Sequence, residues 1–211
     1  GYLAHELRTP LAAIRSTSEV ALKWPEQASP EDHAGIARLA ARLQQTVDGL
    51  LLLARSETLS AEIVREAVAL RPLVEECAAL HAERVRERDL TLTPQLDDNA
   101  VLHTDARLLR MIVHNLIANA VEYAPIHSDV IIAGRSTDPF FAVSNAAPAL
   151  TAEDLPRLFE RLWRKDAARS DDAHAGLGLS LARNCAKALG FGLIAELNSR
   201  GLLCVSLTDE K

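Results

Sequence analysis

The feature that most narrows the fold is a long apolar stripe near the front of the chain. Ile36, Leu39, Leu43, Val47, Leu50 and Leu53 (or Ala54) recur at a/d-like spacing over almost three heptads. Just upstream, Trp24-Pro25-Glu26-Gln27-Ala28-Ser29-Pro30 breaks the chain with two prolines and a serine. Ser29 there predicts an N-cap, with Pro30 at the first helical position and Glu31-Asp32 in an acidic first turn. Before the break, Leu3, Leu7, Leu11 and Ile14 mark a second stripe. The spacing predicts one helix over residues 2–24 and another running to about Glu57, joined as a hairpin. One hairpin cannot cover both stripes. That predicts pairing with a second copy as a four-helix bundle, or packing of the hairpin on the rest of its own chain.

From residue 62 the period changes. Glu62 to Leu70, with Ile63 and Val64 as its apolar start, alternates as a strand. Pro72 predicts the opening of a helix that runs to about Arg88. Leu90-Thr91-Leu92-Thr93 and Val101-Leu102-His103 predict strands around an Asp97-Asp98-Asn99 turn. Asp105 predicts the cap of a helix carrying Leu108, Leu109, Ile112, Val113, Leu116 and Ile117. Val130–Ala133 and Phe140–Val143 follow as strands, then a helix near Glu153–Trp163 and a charged loop over residues 165–175. Leu177–Leu189 predicts a helix, and Leu193–Leu197 with Leu202–Leu207 a closing hairpin. The chain therefore divides into a helical hairpin at 1–57, a linker at 58–61 where the pattern weakens, and a second domain at 62–211. Mixed helices and strands in that domain predict an α+β sandwich, with helices on one face of a mainly antiparallel sheet.

The 211 residues suit one large domain or two small ones. A net charge of -6 leaves no global basic field for nucleic acid and argues against a polybasic membrane anchor. Cys77, Cys185 and Cys204 are odd in number and lack metal-ligand spacing, which predicts reduced, mostly buried thiols in a reducing compartment. The longest apolar run, Leu50 to Ala54, is far too short to span a bilayer, and the opening residues do not read as a signal peptide. The chain opens on Gly rather than Met and reads as a piece of something longer, with the start of the first helix missing.

The chemistry begins at His5. It lies two residues from Leu3 and Leu7, on the wetter side of the first helix, and Glu6 stands beside it. A neutral imidazole is a fair nucleophile, and a neighbouring carboxylate can orient it or accept its ring proton. Pro10 predicts a bend in the helix near His5. The string His5-Glu6-Leu7-Arg8-Thr9-Pro10-Leu11 resembles the phospho-acceptor box of the sensor histidine kinases of bacterial two-component systems.

That resemblance extends down the chain. Asn115-Leu116-Ile117-Ala118-Asn119-Ala120 sets two carboxamides four residues apart on one helix face. A carboxamide offers a hard oxygen to Mg²⁺ and an N–H to phosphate without adding negative charge. The string resembles the N box of the ATPases that unite histidine kinases with Hsp90-, gyrase- and MutL-type enzymes. The resemblance implies Asn119 as the main Mg²⁺ ligand, Asn115 assisting at metal or phosphate, and Tyr123 as the aromatic that follows the box. Glu122 stands where the family often has Lys, at the expense of some phosphate attraction. Gly176-Leu177-Gly178-Leu179 opens a helix, where backbone N–H groups meet anions. It resembles the G2 box, although His174 and Ala175 replace upstream glycines. Leu158-Phe159-Glu160-Arg161-Leu162-Trp163-Arg164 resembles the F box that borders the ATP lid, with Arg161 or Arg164 able to meet a phosphate or an acidic partner.

The clearest departure is at the G1 box, where Val143-Ser144-Asn145-Ala146-Ala147-Pro148-Ala149 lacks the family's Asp and both glycines. Asn145 keeps an acceptor oxygen for the adenine amino group. Ala147 and Ala149 stiffen the loop, which predicts weaker or altered nucleotide affinity without loss of binding.

Taken together the resemblance implies a cytoplasmic catalytic core of an inner-membrane sensor, the membrane being reached through segments absent from this chain. ATP with Mg²⁺ would phosphorylate His5, Glu6 would orient the ring, and the phosphoryl group would pass to an aspartate on a response regulator receiver domain. The core would act as a homodimer, and Thr9 would place a water that strips phosphate from the regulator. A helix hydroxyl bonded to its own backbone is the plainer reading of Thr9. Two rivals follow from the departures: a degenerate, weakly nucleotide-binding dimeric scaffold or phosphatase, and an ATP-driven conformational machine of the Hsp90 or MutL kind.

Overall fold

The computed structural model describes residues 2–27, 29, 32–33, 35–37, 39–40, 43, 47, 63–161, 163–165 and 176–210, of residues 2–10 and 27 the backbone only. The chain divides into two compact units, residues 1–54 and 55–211. Among the described residues no helix is long and apolar enough to cross a membrane.

The first unit opens with helix α1 (Tyr2–Lys23), which runs without interruption through Pro10. A 3-10 turn at Pro25–Gln27 marks the break. Ser29 then closes a reciprocal cap: its N–H donates to Asp32 Oδ2 at 2.9 Å, and the Asp32 N–H donates to Ser29 Oγ at 3.2 Å. The following residues described are helical, and Ile36, Leu39, Leu43 and Val47 are half-buried. Leu50, Leu53 and Ala54 fall outside the described residues. On α1, Ile14, Thr17, Ser18 and Ala21 are half-buried, whereas Leu11 is 56% exposed. Leu11 therefore does not share the shielded face that its spacing predicts, because one hairpin leaves part of the stripe in water.

The second unit is an α+β sandwich. Its elements in order are β1 (Glu66–Ala69), α2 (Leu70–Ala79), α3 (Ala82–Glu87), β2 (Thr91–Leu96), β3 (Val101–Thr104), α4 (Ala106–Tyr123), β4 (Asp129–Gly134), β5 (Phe141–Ala146), a 3-10 segment at Ala152–Phe159, α5 (Gly178–Leu189), β6 (Phe191–Leu197) and β7 (Leu202–Asp209). The main sheet runs β2-β4-β5-β7-β6; only β2–β4 is parallel. Pro94 lies in β2, an edge strand, where its missing N–H does least harm to the ladder. A two-stranded antiparallel ladder, β1–β3, stands apart. Helix α4 packs on α2 and α5 and over β4 and β5, so it is the centre of the core.

Several expected boundaries move, each for a physical reason. The strand expected over 62–70 shrinks to β1. The Val64 N–H donates instead to Asp105 Oδ2 at 3.1 Å, and Arg65 Nη2 donates to the Leu189 carbonyl at 3.0 Å. Helix α2 starts two residues before Pro72, which sits in the first turn where an absent N–H is tolerated. The single helix expected to reach Arg88 breaks at Leu80–His81, where the His81 ring stacks on His114 of α4 with centroids 4.9 Å apart. The helix expected near Glu153–Trp163 is a short 3-10 segment with Pro156 inside it. Strand β5 extends past Val143 to take in Ser144, Asn145 and Ala146.

Candidate functional site

Helix α4 is fixed at its start by Asp105, whose carboxylate accepts from the backbone N–H groups of Arg107 at 3.0 Å and Leu108 at 3.2 Å. Burial pushes this carboxyl up, but the Arg107 guanidinium and the N–H groups of Val64 and Leu108 outweigh it and hold it at about 2. The helix then buries Leu108, Leu109, Ile112, Val113, Leu116, Ile117, Ala120 and Val121. That leaves Met111, His114, Asn115, Ala118, Asn119 and Glu122 half-buried on its other side. Tyr123, the last residue of α4, is 49% exposed.

Asn115 is held in place: its Nδ2 donates to the Met111 carbonyl at 2.7 Å. Its Oδ1 faces Gly178, the first residue of α5. A Cβ at Gly178 would stand 3.0 Å from that oxygen. Glycine at 178 therefore makes room for a carboxamide oxygen at a helix N-terminus. Gly176 adopts φ +66, which favours glycine, and lets the chain turn into α5. Leu177 and Leu179 are buried and anchor the turn in the core, and Ser180 Oγ donates to the Leu177 carbonyl at 2.8 Å. The first-turn N–H groups of α5 lack intrahelical partners and carry the positive end of the helix dipole. So the structure brings Asn115 to the Gly176–Leu179 turn, and Asn119 lies one turn further along the same face.

Asn145 lies on the core side of β5, alternating with Phe141 and Val143, and is 3% exposed. It pairs in register with Val130 of β4 and Leu203 of β7, and its Nδ2 donates to the Ala146 carbonyl at 2.9 Å. A buried carboxamide between apolar neighbours is costly unless hydrogen-bonded, and the Ala146 carbonyl supplies a partner. The following Ala147 donates its N–H to the Gly201 carbonyl at 2.8 Å. Among the described residues only Asp89 and His127 are non-glycine residues with positive φ. Ala147 and Ala149 thus sit without the backbone strain that their replacement of glycine suggests.

Beyond β5, Thr151 and Asp154 form a capping box, and Lys165 pairs with Asp154. The hydrogen bond from Lys165 and those from Thr151 hold the Asp154 carboxyl at about 2. Phe159 packs beneath Arg183 of α5, whose guanidinium carbon lies 5.4 Å from the ring centroid. Arg161 is exposed and Arg164 half-buried. Leu162 and His174 fall outside the described residues. His5, Glu6 and Thr9 fall within α1 of the other unit.

Sequence reasoning missed Arg84. From α3 it donates to both oxygens of Glu122, Nε to Oε2 and Nη2 to Oε1, each at 3.2 Å. Nothing in a string spaced 38 residues apart marks such a pair. It also missed Arg183 on Phe159. The thiols behave as expected: burial pushes Cys77 up to about 11 and Cys185 to about 12, and Cys204 is half-buried. Among the described residues no three His, Cys, Asp or Glu side chains gather in a way that could hold a metal. The donors at the α4–α5 junction are carboxamides and backbone N–H groups, which suit a hard cation shared with a phosphate.

Most of the chain is similar to known proteins. Residues 1–59 match the family model described as the His Kinase A (phospho-acceptor) domain. Residues 104–205 match the histidine kinase-, DNA gyrase B-, and HSP90-like ATPase. The swarming motility regulation sensor protein RssA of Serratia marcescens is 32% identical over 209 residues, covering 94% of this chain and 43% of that protein. The chain thus spans about half the length, or less, of the curated relatives it matches. The structure of the Acinetobacter baumannii histidine kinase AdeS superposes with a TM-score of 0.73 at 18% identity, covering 98% of each chain. Histidine kinase ThkA, in complex with response regulator protein TrrA, gives a TM-score of 0.66 at 19% identity, covering 99% of this chain and 60% of that one. At those identities the likeness speaks for the fold.

Proposed function

We propose that this chain, which belongs to the histidine kinase family, is the catalytic core of a sensor kinase that phosphorylates itself on His5 with ATP. The observation that carries this reading is the seating of the Asn115 carboxamide oxygen against Gly178. Two motifs far apart in the chain meet where a phosphate and its cation would need both.

In this reading the α5 N-terminus and Gly176–Leu179 turn would cradle the phosphates, Asn119 and Asn115 would hold Mg²⁺, Asn145 would accept from the adenine amino group, and Tyr123 would complete the nucleotide site. Mg²⁺, when bound there, neutralises charge on the transferred phosphoryl group. His5 of α1 attacks the γ-phosphorus through one ring nitrogen. An N–P bond forms, the bond from γ-phosphorus to the bridging oxygen breaks, and ADP leaves. Glu6 orients the other ring nitrogen and accepts its proton. The phosphoryl group then moves to a receiver-domain aspartate, a partner class that the ThkA–TrrA complex makes reasonable. Thr9 is assigned to placing the water that hydrolyses the regulator's aspartyl phosphate, which breaks its P–O bond and releases inorganic phosphate. The hairpin of residues 1–57 pairs with a second copy, residues 58–61 link it to the domain at 62–211, and the core works on the cytoplasmic side of an inner-membrane sensor.

The test is incubation of the purified chain with Mg²⁺ and γ-labelled ATP. The expected product is acid-labile, base-stable label that His5→Gln eliminates. Absence of label in the wild-type chain, or label that persists in His5→Gln, refutes the assignment.

A further inference from the structure

We propose that Arg84 is a positioning residue for nucleotide phosphate: by holding Glu122, it lets the α4 face beside Asn119 accept a polyanion. The inference rests on the nucleotide-binding reading above and deepens it. Glu122 lies three residues beyond Asn119 and seven beyond Asn115, which places all three on one stripe of α4. Its side chain is only 16% exposed. A carboxylate on that stripe would repel a phosphate bound beside Asn119. Arg84 removes that repulsion with a two-point fork whose geometry a lysine could not reproduce. Glu87, one turn along α3, accepts from Arg84 Nη1 at 3.1 Å and helps fix the guanidinium. The hydrogen bonds to Glu122 raise the already high pKa of Arg84, so the cation persists at every working pH.

An ion pair that merely ties α3 to α4 would alter stability alike for every ligand. A pair that shields phosphate must matter more with each phosphate added. The full chain is therefore titrated by calorimetry with adenosine, AMP, ADP and ATP, all free of Mg²⁺ so that charge rises with each phosphate, for the wild type, Arg84→Ala, Glu122→Gln and the double variant. Arg84→Ala is expected to weaken ATP binding about tenfold, ADP and AMP progressively less, and adenosine by less than about twofold. Glu122→Gln added to Arg84→Ala is expected to bring ATP binding back to within about threefold of wild type, since the carboxylate charge is gone. Should Arg84→Ala not fold, Arg84→Lys is expected to give the same order of effects at smaller size. An equal loss for adenosine and ATP, no loss at all, or a double variant no better than Arg84→Ala overturns the proposal. A wild-type chain that binds none of the four ligands overturns the nucleotide reading and this inference together.

Discussion

Gly178→Ala separates packing from chemistry at the α4–α5 junction. Gly178 lies outside the left-handed region, so alanine fits its backbone and narrows the unfolded ensemble, a gain of about 0.4–1 kcal/mol. Against that, the new Cβ stands 3.0 Å from Asn115 Oδ1, closer than ordinary contact. Asn115 can yield only by straining or breaking the 2.7 Å bond from its Nδ2 to the Met111 carbonyl. Losing that bond costs about 1 kcal/mol, and an off-rotamer side chain a further ~0.5–1.5 kcal/mol. The costs exceed the gain, so the net destabilisation is expected to lie between about 0.5 and 2 kcal/mol, a melting shift of at most about 8 °C. The site responds differently. A displacement of a few tenths of an ångström at a metal- or phosphate-facing oxygen is expected to slow His5 phosphorylation by about tenfold or more. Thermal melting and initial rates with labelled Mg²⁺-ATP read the two effects separately. The decisive arm places Gly178→Ala in an Asn115→Ala background, where the clash has no partner and the rate should fall no further. Additive losses in that double variant, or an unchanged rate in Gly178→Ala itself, would refute the argument.

Other outcomes follow from the same geometry. Asn119→Ala and Asn119→Asp are expected to abolish phosphorylation while circular dichroism and melting stay near wild type; normal activity in either removes Asn119 from the metal role. Asp105→Ala is expected to destabilise the second unit by about 2 kcal/mol, read by denaturant unfolding. The same carboxyl stands at about 2 in the folded chain against 3.8 in a free side chain, so its contribution is full above pH 4 and disappears as pH falls through 2; a wild-type unfolding free energy flat across that window, once other carboxylates are matched by the Asp105→Asn control, contradicts it. Cys77 and Cys185, whose thiols burial holds at about 11 and 12, are expected to resist thiol reagents at pH 8 until the chain is unfolded, as followed by mass spectrometry of labelled peptides.

What the sequence made legible is what local chemistry decides. Ser29 with Asp32 and Asp105 with its own helix are caps whose partners lie within three residues, so residue type and spacing suffice. Alternation placed the strands because β4 and β5 each have one face in the core. Where a distant residue decides, the reading failed. The α2–α3 break is met by a histidine ring from α4, and the strand expected from residue 62 is shortened because Asp105 and Leu189 claim the polar groups of Val64 and Arg65. Asn145 lies beyond the strand expected to end at Val143, yet β5 continues through it and carries it inward beside Val143.

The same division runs through the site. Asn115, Asn119 and the Gly176–Leu179 turn announce their chemistry as strings, but only the packing of α4 on α5 brings Asn115 to Gly178. Two departures from the family pattern have neighbours that the string does not show. Ala147 and Ala149 forfeit no left-handed backbone, because the loop does not use it there. Glu122 is not a bare charge, because Arg84 arrives from another helix to meet both its oxygens. A motif that departs from its family is therefore a statement about one helix face, and its effect on affinity is set by what packs against that face. The charge that position 122 brings is balanced from α3, and the proposed binding of nucleotide phosphate depends on that balance.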